Sequence, residues 1–337
     1  ETFYNLKINK TIGDYYYTEI TESNNVHIEN NLHIDDGKVL LKDNVTLDID
    51  GDLVLQDNTA LRVYDDAIGV EIKTAKNWHD YNSTSNNYFS FIPGTSKVTL
   101  DGDSMQVLYI NRYNYEFNDL DIDKSDSDFI PYTDVIINGD LAIANGRWYN
   151  PCSDMNHYFQ GNVSLCTGGW FDNMGTVTFR GSEDATFEKG DSNNVFHHVN
   201  ISKTDARDKN SKTTGTVTLL SDLICQSNGN LYINDGSLDT NGYDIICDGN
   251  LYVYSDKLSL NNGSQLTMGE YQGIYVYNSG VLELLGLTDN QVNVKNENSL
   301  SYHDFNIESG GTIRAENTIF ENSGYNGVNI KAGAIVG

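Results

Sequence analysis

Phe196-His197-His198-Val199-Asn200-Ile201-Ser202-Lys203-Thr204 is not unique in this chain. The same phrase stands at Phe117-Asn118-Asp119-Leu120-Asp121-Ile122-Asp123-Lys124-Ser125 and at Phe3-Tyr4-Asn5-Leu6-Lys7-Ile8-Asn9-Lys10-Thr11. A degenerate copy runs from Tyr302 to Ser309. Upstream of two copies lie Val98-Thr99-Leu100-Asp101-Gly102 and Val177-Thr178-Phe179-Arg180-Gly181. A second phrase follows each good copy: Asn31-Leu32-His33-Ile34, Asp140-Leu141-Ala142-Ile143 and Asn230-Leu231-Tyr232-Ile233, each with a glycine soon after (Gly37, Gly146, Gly236). Its core, Gly-[Asn/Asp]-Leu, recurs at Gly51-Asp52-Leu53 and Gly249-Asn250-Leu251. Self-similarity of this kind marks a repeat architecture.

Each phrase alternates apolar with polar residues over four to six positions, which is the period of a strand. Asn, Asp and Gly punctuate the runs and tolerate tight turns. No stretch holds an apolar stripe at helical spacing. Short strands returning roughly every 20 to 22 residues fit the coils of a parallel β-helix, on the order of 11 to 14 of them. A β-sandwich also gives short strands with turn signals. Its strands come closer together and without repetition of whole phrases, so the β-helix is the preferred reading. Residues 1–337 are read as a single β-helical segment of a longer chain, with insertions at about 76–95 and 147–173.

The formal charge is −27, from 48 acidic and 21 basic residues. That disfavours nucleic acid and anionic membranes as partners, since both require basic patches. No apolar run is long enough for a membrane-spanning helix. Cys152 and Cys166 flank one insertion, and Cys225 and Cys247 lie about one coil apart. Either pair suits a disulfide of an extracellular protein. Stacked buried thiols are the alternative for Cys225 and Cys247.

These phrases resemble the repeat regions of large secreted bacterial surface proteins, the Bacteroidetes-like adhesins. The resemblance rests on Gly175 to Gly181, Phe3 to Lys10 and Asn230 to Leu238. Asn317 to Ile330 is similar to a coil of the pectate-lyase superfamily. The resemblance implies an all-β, right-handed parallel β-helix with aromatic-rich insertions, secreted and held at the cell surface. It implies little about activity.

Enzymes on such folds are chiefly polysaccharide lyases and hydrolases, which need converging carboxylates or a bound uronate with a basic residue. The adjacent pairs Asp35-Asp36 and Asp65-Asp66 are the kind that turns attract. Asp119, Asp121 and Asp123 alternate along one strand, as do Asp48, Asp50 and Asp52, and such ladders are Ca²⁺ candidates. A solvated strand face is the preferred reading of these ladders, so no cofactor is expected, with Ca²⁺ as the alternative. All three tryptophans fall in the insertions. Trp78, Tyr81, Trp148, Tyr149, Tyr158 and Trp170 are the candidates for contact with a glycan or partner protein. Packing of these rings onto the coils is the structural alternative. The expected function is a non-enzymatic structural or adhesive segment whose partners are other copies, neighbouring segments of the same chain, or surface glycans. The alternatives are a carbohydrate-binding module and, behind it, a polysaccharide-active enzyme.

Overall fold

The structure, a computed structural model, describes residues 1–9, 17–21, 25–82, 90–110, 114–150, 154–190, 194–204, 214–298 and 301–337. The described residues are all-β, without a helix, and their strands stack in parallel as a β-solenoid of about 13 turns. The chain divides into two compact units, Glu1–Pro151 with Leu165–Asp172, and Cys152–Ser164 with Asn173–Gly337.

In the first unit, the strands Asn25–Ile28, Thr46–Ile49, Glu71–Thr74 and Lys97–Leu100 pair in sequence and continue into Asp119–Pro131. Their register puts Val26, Leu47, Ile72, Val98 and Leu120 in one inward column. A second column runs Leu6, Leu32, Leu53, Trp78, Leu108. In the second unit, Val199, Leu231, Leu251, Ile274 and Phe305 form one ladder, and Ile201, Ile233, Val253, Val276 and Ile307 another. All ten are buried. Each such side chain contributes about 1.5–3 kcal/mol on burial, and the ladder repeats that gain at every coil.

The two repeated phrases are successive coils. Leu6 lies on Leu32 and Ile8 on Ile34; Leu120 lies on Leu141 and Ile122 on Ile143; Val199 lies on Leu231 and Ile201 on Ile233. The register then slips by one residue at the same place in all three copies, after Ile8, Ile122 and Ile201. The extra residue is on the following coil, at Asp35, Ala144 or Asn234, where such a bulge bends the strand. The first strand keeps its parity, which in the second and third copies brings a lysine, Lys124 or Lys203, inward in line with its isoleucine. Lys10 of the first copy lies outside the described residues.

Lys124 Nζ donates to Gly102 O (3.0 Å) and Gln106 Oε1 (3.0 Å). Lys203 Nζ donates to Gln160 O (2.7 Å) and Arg180 O (2.9 Å). Burial lowers both ammonium groups to about 8, against the upward pull of Asp101, Asp103 and Asp128 on the first and of Asp184 and Glu183 on the second. The glycine of the following phrase makes room. Gly146 and Gly236 each have φ of +83°, and a Cβ there would meet the lysine Cβ at 2.8 or 2.6 Å.

The [Asn/Asp]-Leu part of the phrase has an equally direct cause. The Asx side chain before each inward apolar residue accepts the backbone N–H of the equivalent residue one coil on. In the first unit Asn31 Oδ1 takes Asp52 N (2.8 Å), Asp52 Oδ1 takes Asn77 N (3.0 Å), and Asn77 Oδ1 takes Val107 N (2.9 Å). In the second unit Asn230 Oδ1 takes Asn250 N and Asn250 Oδ1 takes Gly273 N, both at 2.7 Å. His198 begins that column, with Nδ1 accepting from Asn230 N (2.9 Å). Burial first, then His197, lowers its pKa and favours the neutral ring that such acceptance requires.

The stretch 147–173, expected as an insertion, is largely extended, within the strands Leu141–Asn150 and Val163–Arg180. The stretch 76–95 contributes the short strands Trp78–Asp80 and Phe91–Ile92. Cys225 and Cys247 are in register on adjacent coils, fully buried, and stand as free thiols rather than as a bridge. Hydrogen bonding to Cys247, then burial, raises the pKa of Cys225 well above the usual thiol value. Cys166 is free and exposed, and Cys152 lies outside the described residues.

Candidate functional site

Strand parity separates the aromatic candidates into two groups. Trp78 and Trp148 are buried, at 1% and 0% exposure, which takes them out of reach of a surface ligand and corrects the expectation that they bind one. Trp78 Nε1 donates to the Tyr115 hydroxyl (2.9 Å), and its ring meets Phe91 and Phe117 edge-on at 5.0 and 5.8 Å. Trp148 packs against Phe129 (5.1 Å) and Phe171 (5.5 Å). Both are core residues of the first unit.

Trp170 and Tyr81 are exposed, at 44% and 41%. Trp170 belongs to a cluster centred on Arg147. The guanidinium carbon lies 4.4 Å from the Tyr149 ring centre and 5.4 Å from that of Trp170. Its nitrogens form a bidentate pair with Asp128 (2.9 and 2.8 Å), and Nη1 lies 3.7 Å from Asp172. The hydrogen bonds that Arg147 donates to Asp128 raise its pKa, so the cation is fixed. Arg147 and Tyr149 are two residues apart on one strand and share its outward face, while Trp148 between them points inward. The result is an exposed indole and a phenol held by an arginine, with carboxylates at the edge. Such a surface can stack on a sugar ring and accept its hydroxyl protons.

Tyr81 stacks on His79 (5.6 Å, 3°) and approaches Tyr109 (6.0 Å). Tyr158, in the second unit, is half-buried beneath the Arg180 guanidinium (5.0 Å).

A third aromatic surface was missed in the sequence. Tyr232, Tyr252 and Tyr275 are in register on three successive coils of the second unit. Their rings are nearly parallel, with centres 5.2 and 5.4 Å apart and planes 8° and 16° apart. Tyr254 and Tyr277 repeat the arrangement beside them, at 4.8 Å and 11°. Parallel rings at that spacing cannot be coplanar without overlapping, so they stack offset and present their edges outward. The spacing is that of the strands beneath. Partial burial, then the neighbouring phenols, raises the pKa values of Tyr252 and Tyr254, and burial followed by Asp304 raises that of Tyr275. The signal was present in the variable position of Gly-[Asn/Asp]-Leu-x, which is tyrosine at both 232 and 252.

The acidic candidates Asp119, Asp121 and Asp123 do not converge. Asp119 Oδ1 accepts from Asp140 N (2.8 Å), Asp121 pairs with Lys97, and Asp123 accepts from Asn145 Nδ2 (2.7 Å). Each of the three thus has its own protein partner on a neighbouring coil. Asp35 pairs with Lys7, and Asp65 with Arg62 (2.8 Å). Among the described residues one group of three metal-ligating side chains does meet: His27, Asp48 and Asp50. Compared with known proteins, the chain matches no family model, no curated protein and no solved structure.

Proposed function

We propose that this chain is a structural and adhesive segment of a long extracellular surface protein, not an enzyme. The observation that supports this reading is the Asx ladder. The asparagines and aspartates that the sequence repeats most faithfully are engaged in joining one coil to the next, through Asn31, Asp52 and Asn77 in one unit and Asn230 and Asn250 in the other. Repetition has therefore acted on stacking, and the variable positions between face outward, free to differ from coil to coil. An acidic surface of this net charge favours solubility and opposes lateral association of like chains. Incubation with a panel of acidic and neutral polysaccharides tests the reading. Retention of polymer length is the expected outcome; depolymerisation that is abolished by a single Asp→Asn change would overturn it.

A second reading, glycan binding, is favoured by the cluster of Trp170, Tyr149 and Arg147. On a glycan array, Trp170→Ala then lowers binding by about tenfold or more, as loss of an exposed aromatic anchor does, while leaving the melting temperature unchanged. Equal binding by the two proteins would remove that cluster from consideration.

A further inference from the structure

His27 stands on the strand Asn25–Ile28, in register with Asp48 on the next coil, and Asp50 follows two residues along the same face. His27 Nδ1 lies 3.2 Å from Asp48 Oδ2, and Nε2 lies 3.5 Å from Asp50 Oδ2. One ligand atom from each of the three lies within 4.8 Å of the others. We propose that these three side chains bind a divalent ion of the zinc class on the surface of the first unit.

Three features of the cluster support this assignment. The first is what the carboxylates lack. Asp52, Asp119 and Asp123 accept hydrogen bonds from other coils, and Asp121 and Asp128 are paired with Lys97 and Arg147. Asp48 and Asp50 instead have His27 as their shared side-chain partner. The second is the ligand chemistry. Two carboxylate oxygens and an imidazole nitrogen suit Zn²⁺, which takes such donors at about 2.0–2.2 Å and completes a tetrahedron with water. Tetrahedral ligands at that radius lie about 3.4 Å apart. The short contacts to Asp48 and Asp50 use different ring nitrogens, of which only one can bind the ion, so side-chain rotation must draw the three ligand atoms in from their present spread of up to 4.8 Å. Ca²⁺ prefers an all-oxygen set and more ligands than this cluster has. The third is local charge. On the neighbouring coils Glu71 and Asp101 add negative charge, and Lys73, in register with Asp48, is the cation that opposes it. Lys73 is drawn toward Glu71 (3.6 Å), leaving the cluster itself anionic.

The test is calorimetric titration of the metal-stripped chain with ZnCl₂ and, separately, CaCl₂. It is run in a Cys166→Ser background because that exposed thiol is free to take zinc. The proposal expects one saturable Zn²⁺ site, weakened by roughly tenfold or more in His27→Ala and also in Asp48→Asn and Asp50→Asn, with Ca²⁺ weaker than Zn²⁺. These surface changes should leave the melting temperature of the metal-free chain unaltered. Co²⁺ in place of Zn²⁺ should give visible absorption of a four-coordinate ion that disappears in His27→Ala. No saturable Zn²⁺ binding, Zn²⁺ binding that survives His27→Ala, or a preference for Ca²⁺ would each overturn the proposal; the last would leave a diffuse acidic surface as the explanation.

Discussion

Gly236 shows how narrowly a single position is fixed. Its φ is +83°, and an added Cβ would meet the Lys203 Cβ at 2.6 Å and the Gly215 carbonyl oxygen at 2.8 Å. Gly236→Ala therefore combines backbone strain with a clash against buried atoms, and chemical denaturation should show a loss of about 2–4 kcal/mol. Gly327 also has positive φ, at +66°, but nothing lies within 4 Å of its absent Cβ. Gly327→Ala should cost only the strain, about 1 kcal/mol. Two buried histidines give a pH dependence. Burial lowers His157 to about 3 and His303 to about 4, the latter against the upward pull of Asp304. Both values lie below the unfolded value of about 6.5, so the unfolded chain binds the extra protons. Stability is thus full above pH 6.5 and falls as pH drops toward 4, by roughly 3 kcal/mol for each histidine. Urea midpoints at pH 7 and pH 4 measure this, and His157→Phe should flatten the slope. The burial of Lys124 and Lys203 was missed in the sequence, although both continue the inward parity of Leu-x-Ile-x-Lys. The oxygens that receive them could not be read from the sequence, because they belong to other coils.

At the scale of the strand, the repeated phrase was read correctly as a unit of stacking, and the structure supplies its cause. The apolar positions of the first phrase lie on those of the second, and the Asx residue before each inward apolar residue holds the coil above. Asn250 is central to the second unit's column, accepting from Gly273 N and donating its own N–H to Asn230. Asn250→Ala should lower stability by about 1–3 kcal/mol by leaving the Gly273 amide unpaired, and should speed hydrogen exchange at that amide. Asn250→Asp, which keeps the acceptor, should recover most of the loss. The tyrosine ladder belongs to this scale too. Tyr252 has a stacked ring on each side, so Tyr252→Ala should cost about 1–2 kcal/mol and Tyr252→Phe little, since stacking does not need the hydroxyl. The aromatic candidates were only partly legible. Reading 147–173 as irregular hid the alternation that buries Trp148 and Phe171 while leaving Tyr149 half-buried on the outward face and Trp170 exposed. Treated as strands, the same residues sort themselves by parity.

For the whole molecule, the charge of −27 and the parallel stack point in one direction. A single-sign surface opposes its own compaction, and the ladders of apolar and Asx residues offset that repulsion coil by coil. Fold class was legible because repetition multiplies a weak strand signal at every coil. The ladder of Asp48 and Asp50 was legible, but the place of His27 beside it was not, because residues on different coils become neighbours only once the register is known. The outward positions, where coils differ, carry whatever specificity the protein has, and a structural role requires that many such coils be presented together. Electron microscopy of the native material carrying this chain tests that role most directly. The account predicts long, regular assemblies in which the chain is an integral, repeating part. Dispersed, isolated particles carrying polysaccharide-cleaving activity would contradict it.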